Sequence, residues 1–192
     1  CYDGEVGKDH NESICLQQGG EWTDGIDCAS ITCGSIWYVD QTSTNKPDGT
    51  SWATAFRNVQ DALDVASSGN QIWIAQGWYI PTDRGSNPKD PREASFRLIA
   101  GVEIYGGFSG NETGLDQQQP NIYQVVFSGD LNGDDGEGDN TSENAYHVVT
   151  ADALVGSNPI LDGVYIRSGN ANSAAINKFG GGLISSIGAR II

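Results

Sequence analysis

Beyond Gly69 the sequence becomes a succession of short apolar runs closed by Gly, Asn or Asp, at residues 72–75, 96–99, 102–105, 125–127, 147–150 and 161–166. Each run is too short for an ordinary helix and is rich in β-branched and aromatic side chains, so each reads as a strand. Residues 36–39, Ile-Trp-Tyr-Val, read the same way. One helix signal stands out: over residues 55–67, Phe56, Val59, Leu63 and Ala66 recur at helical spacing, with Thr54 as N-cap and Gly69 just past the end. No helical pattern separates the later runs, which disfavours a doubly wound α/β sheet.

Taking Tyr105, Phe127, Val148 and Tyr165 as comparable positions gives steps of 22, 21 and 17 residues, within the roughly 20-residue class that marks stacked coils. Gly106-Gly107, Gly129-Asp130 and Gly169-Asn170 each follow a run directly, where a coil must bend and a positive φ is cheap only for Gly or Asn. The expected fold is all-β, a parallel β-helix with an N-terminal capping α-helix that covers raw strand edges and apolar core. A β-sandwich, also built of short strands with frequent turns, is the alternative.

The cysteines are confined to the first 33 residues, as Cys1, Cys15, Cys28 and Cys33. Residues 1–34 show neither apolar period and need cross-links to hold a fold, so they read as a small disulfide-rich module of an oxidising, extracellular or cell-surface compartment, with three pairings open. The domain boundaries expected are 1–34 and 35–192, in a secreted chain in its mature form. Zinc at Cys28-x4-Cys33 is the other reading, against which stand the lack of a CxxC pair and the wide separation of the two His. Cys1 as a lipid-bearing residue is a further one.

Several stretches carry a family resemblance. Tyr38-Val39-Asp40, the segment Asp48-Gly49-Thr50-Ser51-Trp52-Ala53-Thr54-Ala55-Phe56, Val59-Gln60-Asp61-Ala62-Leu63 and Ile72-Trp73-Ile74-Ala75-Gln76-Gly77-Trp78-Tyr79-Ile80-Pro81 resemble the N-terminal cap of right-handed parallel β-helix repeat proteins with a pectin-lyase-like fold, found on bacterial surfaces. Residues 101–113, 128–136, 146–149 and 161–166 match the same pattern in order, and residues 15–33 are similar to a Cys-rich module of such secreted proteins. The resemblance implies a right-handed coil and makes Trp52 and Trp73 packing residues. Trp78 departs from it, standing where the family has a small or β-branched residue.

Ten Lys and Arg stand against 25 Asp and Glu, a formal net charge of −15. Binding to nucleic acid or an anionic membrane needs clustered bases and is disfavoured, and no apolar run is long enough for a transmembrane segment. The acids are unevenly spread. Residues 130–143 hold six (Asp130, Asp134, Asp135, Glu137, Asp139 and Glu143) and no Lys or Arg. Asp130, Asn132 and Asp134 follow the start of an EF-hand-like loop, but the Gly comes one place late and the twelfth position is Thr141. The expected structural Ca²⁺ site is Asp130, Asn132, Asp134, Asp135 and Asp139; the bland reading is a solvated acidic turn.

No catalytic residue is expected. The fold family named above includes polysaccharide lyases and hydrolases, but neither a Gly-His-Gly nor an Arg-x-Lys motif occurs. Arg167 is the one base placed to serve a lyase and reads as a solvent-facing strand residue; His147 reads as structural. Flat rings stack on sugars as well as in cores, and Trp78 is the candidate carbohydrate contact, with core packing as its competing reading. Asn11, Asn111 and Asn140 head Asn-x-Ser/Thr triplets and are glycan acceptors where the host has the machinery. The expected role is a structural or adhesive protein of the cell surface. Self-assembly into a homo-oligomer or fibre is expected through the apolar tail, with Leu183, Ile184, Ile191 and Ile192 at an open coil end. The alternative is a protein that binds or degrades a surface polysaccharide.

Overall fold

A computed structural model describes residues 34–85, 87–136, 140–151, 158–173, 180–185 and 190–191. The cysteines, Asn11, Asp139 and Ile192 lie outside them, and with them the disulfide and zinc readings. Eleven strands are present among the described residues: β1 (Ile36–Val39), β2 (Gln71–Ala75), β3 (Gly77–Tyr79), β4 (Phe96–Arg97), β5 (Glu103–Phe108), β6 (Val125–Ser128), β7 (Val149–Ala151), β8 (Ile160–Asp162), β9 (Val164–Arg167), β10 (Leu183–Ser185) and β11 (Arg190–Ile191). One α-helix accompanies them, α1 (Val59–Val65).

The strands form three parallel sheets, ordered β1-β2-β5-β8-β11, β3-β6-β9 and β10-β7-β4. From β2 onward the chain visits the three sheets in one repeating order, each return adding a strand beside the previous one. Parallel pairing throughout the described strands is not the antiparallel pairing of a β-sandwich, and that alternative falls.

The register stacks like on like. Trp37 pairs with Ile72, Ile72 with Ile104 and Ile104 with Leu161, and the last three are buried to within 1%. Tyr79, Phe127 and Ile166 form the matching column of the second sheet; Phe96, Val149 and Leu183 form that of the third. The columns meet in one apolar core, where the rings of Phe96 and Phe127 lie 4.2 Å apart. Each fully buried Ile, Leu or Phe contributes on the order of 1.5–3 kcal/mol, and alternation along the strands is what turns those residues to one side.

Helix α1 is shorter than the sequence predicts. Ala55 and Phe56 are extended, because Phe56 bridges Val39 and exchanges backbone hydrogen bonds with Tyr38 and Asp40 (2.9 and 2.8 Å). Thr54 ends a 3₁₀ turn, Trp52–Thr54, capped by Ser51, and donates its hydroxyl to Asp48 at 2.6 Å, so it is no N-cap of α1; Asn58 holds that position. At the far end Ala66 is already extended. What remains buries Val59, Ala62 and Leu63 against β1, β2 and β4.

Tyr105, Phe127, Val148 and Tyr165 are not equivalent positions. Tyr105 and Val148 belong to or adjoin two different sheets, Phe127 and Tyr165 share the third without being partners, and the true partners are Trp73 with Tyr105 and Tyr105 with Asp162. The steps of 22 and 21 residues run from one sheet to the next, and the step of 17 passes over β8, so none of them measures a full coil. Gly106-Gly107 also does not follow a strand: both lie inside β5, where the register against β2 shifts between Ile74 and Ala75 and Gly107 has φ +99°. That is a bulge, with its extra residue relaxed by glycine. The run at 161–166 divides at Gly163 into β8 and β9. Gly129 and Gly169 do follow strands, as expected.

The candidate cation site in the loop after strand β6

Strand β6 ends at Ser128, and the loop that follows carries the acids. Asp130 turns the chain on itself: its Oδ1 accepts the backbone N–H groups of Gly133 (2.7 Å) and Asp134 (3.1 Å), and its Oδ2 that of Asp135 (3.2 Å). Burial works against the Asp130 charge, but the N–H groups of Asp135, Asp134, Gly133 and Asn132 outweigh it and hold the carboxyl below the usual carboxylate range. The loop thereby places Asp134 and Asp135 beside Asp130. The chain returns at residues 140–145 and brings Glu143 and Asn144 to the same place.

Carboxylate oxygens of Asp130, Asp134, Asp135 and Glu143 all lie within 4.8 Å of one another. Among the described residues no Lys or Arg is paired with them; the ion pair there is Arg97 with Asp83, elsewhere. The Glu143 backbone N–H favours its charged form, but burial and the Asp134 and Asp130 carboxylates together outweigh it, and the Glu143 carboxyl is pushed above its ordinary value. Asp135 Oδ1 and Asn144 Oδ1 are shielded from solvent with no hydrogen-bond partner. Buried acceptors are ordinarily satisfied. Asn144 is 1% exposed, and its Nδ2 donates to Asp135 Oδ2 at 3.0 Å.

The return arm is held firmly. Arg92 Nε donates to the Asn144 carbonyl (2.7 Å), and its Nη2 to the Asn170 carbonyl and Asn172 Oδ1 (both 2.8 Å), while the guanidinium lies 4.1 Å over the Tyr146 ring. Asn170 in turn donates its backbone N–H to Ala145 and its Nδ2 to the Thr141 carbonyl.

Of the five residues the sequence singles out, Asp130, Asp134 and Asp135 are brought together. Asn132 is on the exposed turn, and Asp139 lies outside the described residues. Glu143 was legible only as one of six acids, and Asn144 gave no signal, because both reach the cluster by the fold of the return arm and not by spacing along a loop motif. Asn140 donates its Nδ2 to Asp134 at 2.8 Å, so the amide needed for a glycan is engaged in this loop. Asn111 is exposed on the loop after β5, its Oδ1 accepting from Ser109.

Trp78 overturns the core reading: it is 59% exposed on the outer face of the β3-β6-β9 sheet, in register with Val126, which pairs with Tyr165. Arg167, on the same sheet, holds its guanidinium 5.9 Å from the Trp78 ring. Trp73 is buried and stacks on Phe108 at 4.9 Å, and Trp52 donates its Nε1–H to the Glu112 carbonyl. His147 Nδ1 lies 3.0 Å from the Gly180 carbonyl oxygen. Leu183 and Ile184 belong to β10, paired with β7. No described helix is long and apolar enough to cross a membrane. Comparison with known proteins finds no matching family model, no matching curated protein and no matching solved structure.

Proposed function

We propose that residues 35–192 fold as a right-handed parallel β-helix and that the chain is a structural or adhesive protein of the cell exterior, without catalysis of its own. The observation that carries this reading is the repeated visiting order of three parallel sheets with Trp37, Ile72, Ile104 and Leu161 stacked in register. Such a stack presents extended faces set by strand alternation, which suit display to a partner. The clustered cysteines support an extracellular setting. A panel of acidic and neutral polysaccharides incubated with the full chain and CaCl₂ tests it: no unsaturated or reducing sugar ends appear, whereas steady release from any polymer overturns the non-catalytic role. Beads coated with the chain are retained on cell surfaces, and no retention above an albumin coat overturns the adhesive role.

Polysaccharide binding is the second reading, favoured by the exposed Trp78 ring beside the Arg167 guanidinium. A flat ring stacks on a sugar face while the cation meets a uronate carboxylate. Trp78→Ala then loses retention on an acidic-glycan array with its melting curve unchanged; equal retention by the variant overturns this reading.

A further inference from the structure

We propose a divalent-cation site of the Ca²⁺ type formed by the carboxylates of Asp130, Asp134, Asp135 and Glu143 with the side-chain oxygen of Asn144, closing the loop between β6 and β7. It is independent of the adhesive role above. Oxygens on a Ca²⁺ ion sit about 2.3–2.6 Å from it, so two of them are at most roughly 4.6–5.2 Å apart; for Mg²⁺, at about 2.0–2.1 Å, the limit is roughly 4.2 Å. The oxygens here all lie within 4.8 Å of one another, inside the Ca²⁺ limit. Four carboxylates crowd there without a paired base among the described residues. Independently of that charge, the carboxamide of Asn144, nearly fully buried and set against Asp135 by its Nδ2 bond, leaves Oδ1 without a partner. A cation supplies the one partner that all these acceptors share.

The ion joins two arms of the chain. Asp130, Asp134 and Asp135 come from the outgoing arm after β6; Glu143 and Asn144 come from the return arm that Arg92 and Asn170 hold in place. The set differs from an EF-hand-like reading of the loop in using Glu143 and Asn144 where that reading uses Asn132 and Asp139.

The test titrates CaCl₂, and MgCl₂ for comparison, into the chelator-stripped full chain by calorimetry and follows melting with and without the ion. Expected is one Ca²⁺ per chain, bound at least tenfold more tightly than Mg²⁺, with the melting temperature raised by roughly 5–10 °C at a hundredfold excess over Kd. Glu143→Gln weakens Ca²⁺ at least tenfold. In chelator the same variant melts at or above the wild type, because one repelling charge is gone, which separates ligand loss from misfolding. Asp116→Asn, an exposed carboxylate elsewhere, leaves binding unchanged. Absence of both heat and a melting shift overturns the site. Ca²⁺ binding that survives Glu143→Gln and is lost in Asp139→Asn overturns this ligand set.

Discussion

A Cβ placed on Gly106 would lie 2.5 Å from the carbonyl oxygen of Gly163, and one placed on Gly163 would lie 2.5 Å from that of Gly106. The two glycines follow the paired residues Tyr105 and Asp162, so neighbouring strands touch backbone to backbone here. Gly163 also sits at φ +69°, turning the chain from β8 into β9. Gly163→Ala therefore loses about 2–5 kcal/mol, combining overpacking of roughly 1–3 kcal/mol with roughly 1–2 kcal/mol for the left-handed backbone. Gly69→Ala separates the two effects, since Gly69 has φ +87° and open space, and loses only the second. Urea unfolding of both variants checks this; equal losses would sink the close-contact argument.

Arg92 ties three stretches of chain together through the Asn144 and Asn170 carbonyls and the Asn172 side chain. Hydrogen bonds from a charged donor are worth about 1.5–3 kcal/mol each when deleted alone and do not add. Arg92→Ala is expected to lose about 2–4 kcal/mol. Arg92→Lys recovers less than half of that, because one ammonium cannot span the acceptors that a planar fork reaches. Full recovery by Lys in thermal melts would assign the effect to charge alone.

Ile104 lies in the middle of the stacked column and is fully buried, whereas Ile122 is 64% exposed. Ile104→Ala should lose about 2–5 kcal/mol, and Ile122→Ala no more than about 0.5 kcal/mol. Chemical denaturation of the pair reads the difference, and comparable losses would contradict the assigned core.

Strands written as continuous apolar runs are legible in the sequence: β1 is read with its observed bounds, and β2 and β6 to within one residue. What failed was local pattern overridden by pairing. Phe56 has helical spacing to Val59 and Leu63, yet Val39 recruits it into a bridge, and a backbone committed to Tyr38 and Asp40 cannot also be helical. Strand β3 carries only three residues, one an exposed Trp, and it is a strand because Val125–Phe127 lies alongside it. In the acidic loop, Asp130, Asp134 and Asp135 follow from spacing within one turn. Glu143 and Asn144 arrive from the other arm, and no motif at fixed spacing carries that information.

Glu112 folds the loop after β5 around its carboxylate, accepting from Ser109 N and Oγ (2.7 and 2.8 Å) and from the backbone of Gly110 and Asn111 (3.0 Å each). Burial opposes the charge, but these bonds, led by those of Ser109, outweigh it and leave the carboxyl below its ordinary value. A depressed folded pKa means that unfolding takes up a proton. The stabilisation is therefore complete above the unfolded value of about 4.3 and disappears as pH falls through the lower folded value. Glu112→Gln keeps the shape but turns an amide toward N–H donors, so at pH 7 it should lose about 1–3 kcal/mol. Because other carboxylates titrate in the same range, the informative quantity is the difference between wild type and variant in urea unfolding at each pH. It should hold steady from pH 7 to 5 and shrink below about 4.3. A difference that persists unchanged to pH 2.5 would show that the charge of Glu112 does not hold this loop.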